Sequence, residues 1–194
     1  LKDKVAVLAQ VGDMDACSAM VAFKELAEKL NPKIELEFGF PGALNKDGTK
    51  ILQLFKLKTK LLDDIPLEEI EKVILLDTQP NAIPEFLQKK DLFVIDHHVP
   101  TSKNIPGVVD ETAVATTEVV HGLFKKYKVK LTKDIARAII YGLISDTAGL
   151  RFAKAKTFGL LFDLLSEFGL EYTKILEDIY EEKDKSERLA VLTA

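Results

Sequence analysis

The sequence predicts an α/β fold: a mostly parallel central sheet flanked by helices, with a helical C-terminal part. Three observations carry this. Short apolar runs stand at 4–9, 72–77 and 91–96, and the last two are of the β-rich kind buried on both faces of a sheet. A stretch of helical periodicity follows the first run. From residue 112 onward the pattern is helical to the end. Strand–helix alternation of this kind implies a right-handed parallel sheet covered by helices.

Taken in order, KVAVLA (4–9) is the first strand, followed by the polar loop QVGDMDA. ACSAMVAFKELAEKL (16–30) places apolar residues at 20, 21, 24, 27 and 30, one face of a helix. KIELEFGF (33–40) alternates apolar and polar residues and reads as a half-exposed edge strand. PGALNKDG has turn chemistry, and residues 50–62 fit either a helix or irregular structure. KVILLD (72–77) and DLFVID (91–96) are the buried strands, and PEFLQKK between them predicts a short helix beginning at Pro84. After GVVD (107–110), helices are predicted at roughly 112–127, 133–146, 156–168 and 171–190, with Leu160, Leu161, Leu164, Leu165 and Phe168 as core.

Composition excludes several classes. A net charge of −4 gives no basic field for duplex nucleic acid, although it permits a small phosphate ligand. The single cysteine, Cys17, rules out an intrachain disulfide and a cysteine-clustered zinc site, and is expected to pack as a small apolar residue. No apolar run approaches the roughly 20 residues of a membrane span, and the start lacks a signal pattern, so a cytoplasmic protein is expected.

In open parallel sheets, ligands bind outside the carboxyl ends of the strands. Asp13 and Asp15 follow the first strand, Asp77 follows KVILL, and Asp96, His97 and His98 follow LFVI. A further carboxylate, Asp146, stands at the end of an apolar helix. At about 5 Å and an effective dielectric near 20, each pair of like charges costs on the order of 3 kcal/mol, so a cation is expected among them. Oxygen ligands with one or two imidazoles suit Mn2+, with Mg2+, Co2+ and Fe2+ also compatible. Asp77 has two oxygens and could bridge two ions, the clamp used to hydrolyse phosphate esters and anhydrides. Other polar residues have plainer readings. His121 is an ordinary helix histidine, the lysines of KKYKVK (125–130) form a solvated face, and Arg151 is divided between a phosphate contact and surface pairing.

DMDA, LLDT, DHH and ISDTAGLRF, in that order, resemble the four motifs of the DHH phosphoesterase family, which includes RecJ-like nucleases, oligoribonucleases, cyclic-dinucleotide phosphodiesterases and manganese pyrophosphatases. The resemblance covers roughly residues 4–155. It implies a catalytic core over 1–155, with 156–194 the helical end of the same domain, leading through the apolar pattern of SERLAVLTA toward a C-terminal substrate domain absent from this sequence. It implies Asp13, Asp15, Asp77, His97 and Asp146 as metal ligands. His98 would face the substrate phosphate, Asp96 would support the histidines from behind, and the N-terminus of the helix opened by TAVATTEVV (112–120) would help receive an anion. The substrates implied are small phosphate esters, nucleotides or short single-stranded oligonucleotides. Family members commonly carry a histidine four residues before the first aspartate, where this chain has Ala9. Two unequal ions are therefore expected: one held by Asp15, Asp77, His97 and Asp146, the other by Asp13 and the shared Asp77 alone, with Gln10 turned away. The same departure sustains an alternative, a binding or assembly module of this fold with reduced or lost catalysis.

Overall fold

The computed structural model describes residues 4–102 and 104–180. Six strands, β1 (Lys4–Leu8), β2 (Glu35–Phe40), β3 (Lys60–Leu61), β4 (Lys72–Leu76), β5 (Asp91–Asp96) and β6 (Gly107–Val109), form one sheet in the order β3-β2-β1-β4-β5-β6. Every pairing is parallel. The helices are α1 (Met14–Leu30), α2 (Lys46–Leu54), α3 (Thr116–Lys126), α4 (Lys133–Asp146), α5 (Ala155–Phe168) and α6 (Tyr172–Tyr180). The part of the last predicted helix beyond residue 180 lies outside the described residues.

Side chains alternate along β1 and divide the interior into two cores. Val7 and Ala9 join Phe38, Leu76 and Ile95 beneath α1, α3 and α4. Ala6 and Leu8 join Val73, Leu75 and Val94 on the other face, which is covered by connecting segments carrying Leu62, Ile65, Ile70, Ile83 and Leu87. Cys17 lies fully buried in the first core. Of the predicted α5 core, Leu161 and Leu164 are buried, while Leu160, Leu165 and Phe168 pack partly buried against them.

Four expectations are corrected. The edge position belongs to the two-residue β3, with β2 next to it. PGALNKDG is a turn only in its first half. Asn45 caps α2 by accepting from the Gly48 amide at 2.7 Å, and Gly48 sits in the helix because any side chain there would strike the Gly12 carbonyl and the Cys17 sulfur. The segment after Pro84 makes successive i→i+3 bonds, Leu87 to Pro84, Gln88 to Glu85 and Lys90 to Leu87, so it is a 3-10 turn rather than an α-helix. Likewise α3 starts at Thr116 instead of 112, because Asp110 accepts from the amide and hydroxyl of Thr112 and closes a turn first.

Two helical glycines are spacious: a Cβ at Gly122 in α3 or Gly159 in α5 would meet nothing within 4 Å. Gly122→Ala and Gly159→Ala should each stabilise the protein by about 0.5–1 kcal/mol in thermal melts, since alanine loses less backbone entropy in a helix. His121 is a helix histidine, as expected, and is among the buried residues of α3. It is 7% exposed, and burial, aided by the Lys125 charge, pushes its imidazole down to about 4. The unfolded chain, with an ordinary value of 6.5, therefore takes up the proton first. Stability from this group is intact above about pH 6.5 and is lost as pH falls toward 4, on the order of 3 kcal/mol in all. His121→Leu should lose less melting temperature between pH 7 and pH 4.5 than the unmodified protein; parallel losses would contradict the assignment.

Candidate metal centre

The strand order turns at β1: the chain leaves it for β2 on one side and later places β4 on the other. A crevice opens at the carboxyl ends of strands flanking such a switch point. Asp13 is the N-cap of α1 after β1, and Asp15 lies in that helix's first turn. Asp77 follows β4, Asp96 ends β5, His97 and His98 follow it, and Asp146 is the last residue of α4. Asp77 is turned into the crevice by a left-handed backbone, φ 56°, while its amide donates to the Ile95 carbonyl at 3.0 Å. Non-glycine residues adopt this region at a cost, and such strain gathers at functional sites.

Asp15 has no exposed surface. Its Oδ2 accepts from the Thr116 amide at 2.6 Å, and its Oδ1 accepts from the Thr117 amide at 3.1 Å and the Thr117 hydroxyl at 2.8 Å. The N-terminus of α3 does receive an anion, the Asp15 carboxylate. A carboxylate has about four lone-pair sites, so three are taken and one remains on Oδ2. The Thr116 hydroxyl donates to Asp77 Oδ1 at 2.8 Å, so a single residue holds two carboxylates. The role of this Thr-Thr pair was not legible in the sequence, where the hydroxyls signalled only a polar helix start.

Asp15, Asp77, His97 and Asp146 each bring a ligand atom within 4.8 Å of the others. Among the described residues, His97 Nε2 is buried and receives no hydrogen bond, although Asp146 Oδ2 lies 3.2 Å away and Asp77 Oδ1 3.6 Å away. A basic nitrogen without a partner among carboxylate oxygens is the donor set of a divalent cation, three oxygens and one imidazole. The residues fit a metal. Without one, the cluster is electrostatically strained. Burial, then the Asp146 charge, pushes the Asp15 carboxyl up to about 7 against the opposing threonine hydrogen bonds. Burial and the charge of Asp15 raise Asp77 well above the usual carboxylate range. Burial lowers the His97 imidazole, but the carboxylates of Asp146, Asp15 and Asp96 outweigh it and raise it overall.

Asp96, also fully buried, lies near a second such group with Asp77, His97 and His98, yet its oxygens are occupied. Oδ1 accepts from the amides of His97 (2.8 Å) and His98 (3.3 Å) and faces His98 Nδ1 at 2.8 Å, while Oδ2 accepts from Gln79 Nε2 at 2.6 Å. Gln79 Oε1 in turn accepts from the Thr101 amide at 3.3 Å. Gln79 was not singled out in the sequence; nothing in TQP distinguishes a buried amide from a turn residue. Because a carboxylate only accepts, His98 Nδ1 is the donor and its Nε2 is left for another partner. The His98 side chain is 57% exposed, against 14% for His97.

Asp13 stands apart from the quartet: Oδ1 caps α1 by accepting from the Ala16 amide at 2.9 Å. Burial raises its carboxyl, and the Asp146 charge adds to the effect, so it still feels the cluster. Ala9 is buried in the core, while Gln10 and Val11 after it are both exposed. Arg151 is exposed.

Comparison with known proteins agrees with this geometry. The model of the DHH family, N-terminal domain, matches residues 4–143. An uncharacterized protein of Methanocaldococcus jannaschii is 28% identical over 191 residues, covering 94% of this chain and 56% of that protein. A probable manganese-dependent inorganic pyrophosphatase of Streptococcus thermophilus is 25% identical over 145 residues, 72% of this chain and 46% of the relative. The crystal structure of an exopolyphosphatase-related protein from Bacteroides fragilis shares the fold with a TM-score of 0.75 at 20% identity, over 95% of this chain and 58% of that one. The chain thus spans about half the length of these proteins. With most of this chain, residues 4–143, matching the family's N-terminal-domain model and the motif residues gathered at the carboxyl ends of the strands, the chain belongs to the DHH family.

Proposed function

We propose that the chain is a divalent-metal-dependent phosphoesterase, with manganese as the preferred ion. Its substrates are phosphodiester or phosphomonoester bonds of a small phosphate ester, a nucleotide or a short single-stranded oligonucleotide. The observation that carries this is the buried, unpartnered Nε2 of His97 facing the oxygens of Asp77 and Asp146. Divalent ions in this position supply charge to a phosphoryl oxygen and acidify water. The protein's own part is positioning. Asp15, Asp77, His97 and Asp146 would hold one ion, Asp13 and Asp77 would hold a weaker one, and Asp96 aims His98 outward. Once doubly protonated, the exposed His98 ring keeps its Nδ1 proton on Asp96 and offers its Nε2 proton to a phosphate oxygen as charge develops there. The streptococcal relative is named for hydrolysis of a phosphoanhydride, the same displacement at phosphorus.

The alternative, a binding module with reduced or lost catalysis, rests on Ala9, a buried methyl at the strand end. Manganese-dependent hydrolysis of bis-p-nitrophenyl phosphate separates the two readings. Asp77→Asn should lower that hydrolysis by at least about a hundredfold, about 3 kcal/mol of transition-state stabilisation. Asparagine tolerates the left-handed backbone and keeps the acceptor for Thr116, so the metal-free variant should melt no lower than the unmodified protein. Near-normal activity in the variant removes Asp77 from the reaction.

Manganese uptake requires Asp15 and His97 to be unprotonated, and both are raised in the metal-free protein, Asp15 to about 7. Protons compete with the ion. Apparent affinity in calorimetric titration should rise with pH and level off above about 7, by roughly tenfold per unit for each proton displaced. A flat affinity between pH 5.5 and 7.5 would contradict this ligand set.

A further inference from the structure

We infer that Gly142 of α4 and Thr117 of α3 are positioning residues for Asp15: the bare backbone at 142 is the space in which the Asp15 carboxylate and the Thr117 hydroxyl meet. This rests on the metal-centre reading above and says what orients one of its ligands.

A Cβ built on Gly142 would fall closer to Asp15 Oδ1 and Thr117 Oγ1 than the 3.0 Å that such atoms keep in real proteins, and would lie 2.5 Å from Thr117 Cγ2. A long, flexible side chain could swing aside from such an overlap. These groups cannot. Oδ1 is held by both the amide and the hydroxyl of Thr117, Oδ2 by the amide of Thr116, and all three residues are fully buried. Alanine at 142 must therefore rotate the carboxylate, break its bonds to α3, or push α4 away from α1 and α3. The third outcome displaces the site as well. Asp146 lies one helical turn beyond Gly142 on the same face of α4, so one helix supplies both a candidate ligand and the gap that admits another. Rotation matters because only one lone pair of Asp15, on Oδ2, remains for a cation. The contrast with Gly122 and Gly159, which face open space, shows that Gly142 is not simply a tolerated helical glycine.

The test uses the full 194-residue chain. Gly142→Ala, Gly122→Ala and Gly159→Ala are titrated with Mn2+ by calorimetry, and amide hydrogen exchange at Thr116 and Thr117 is followed in metal-free protein. Gly142→Ala should bind Mn2+ roughly 10- to 100-fold more weakly, the range seen when groups supporting a ligand are altered, and should exchange those two amides faster. The two control variants should match the unmodified protein in both measurements. Thr117→Val, which keeps the shape beside Gly142 and removes the hydroxyl, should weaken Mn2+ binding in the same direction, and Thr117→Ser should restore it. Should Gly142→Ala not fold, the valine and serine pair decides: equal affinities overturn the proposal. Unchanged affinity and exchange in a folded Gly142→Ala overturn it directly. If the unmodified protein takes up no Mn2+, the metal reading fails by itself, and exchange at Thr116 and Thr117 still tests the positioning, unchanged exchange in Gly142→Ala overturning it.

Discussion

The complete burial of the Asp15 carboxylate is the constraint on which the rest of the site depends. A carboxylate without water must find donors in the protein, and the first turn of a helix has amides without partners. α3 begins at Thr116 behind Ala115, which offers no capping side chain. Asp15 supplies the acceptors, Thr116 and Thr117 the donors, and the positive end of the helix favours the charge. Each element thus completes the other, and α1 is tied to α3 at the point where both approach the sheet. Thr116 extends the tie to β4 through Asp77, and Gly142 lets α4 close over it.

The same arrangement stores electrostatic tension. Asp15, Asp77 and Asp146 converge with too few protein cations to balance them, and the backbone at Asp77 is held left-handed. Like-charge pairs at about 5 Å cost on the order of 3 kcal/mol each, against a net domain stability of about 5–15 kcal/mol. The two cores on either side of the sheet make such a site tolerable. In return, the fold holds the ligand atoms close before any ion arrives, so a cation entering the cluster relieves repulsion instead of having to order loose side chains.

Adjacent histidines acquire different chemistry from the directions their side chains take. His97 turns inward toward Asp77 and Asp146, while His98 is mostly exposed with its Nδ1 on Asp96. Asp96 discriminates between them: it accepts both backbone amides but only one ring nitrogen. Gln79 and the Thr101 amide hold that carboxylate from behind, which binds the loop after β5 to the loop after β4.

Much of this was legible in the sequence. Continuous apolar runs ending in Asp or Asp-His-His announced parallel strands with ligands at their carboxyl ends, because period and burial are written locally. Asp13, Asp15, Asp77, His97 and Asp146 could be named for the same reason: each is a charged residue where a buried pattern stops. What local pattern could not carry was the pairing of distant groups. That Asp15 spends three lone pairs on α3 is decided only when α1, α3 and α4 pack, whereas the Asp13 cap lies three residues from its donor and is local. Thr117, Gln79 and Gly142 look like ordinary helix or turn residues until a carboxylate from elsewhere lies against them. The PEFLQKK segment before β5 likewise has helical composition, yet it closes as 3-10 turns. The sequence alone determined which residues carry charge and where strands end; the tertiary structure decided which lone pairs remain free, because hydrogen bonds between segments a hundred residues apart have no local signature.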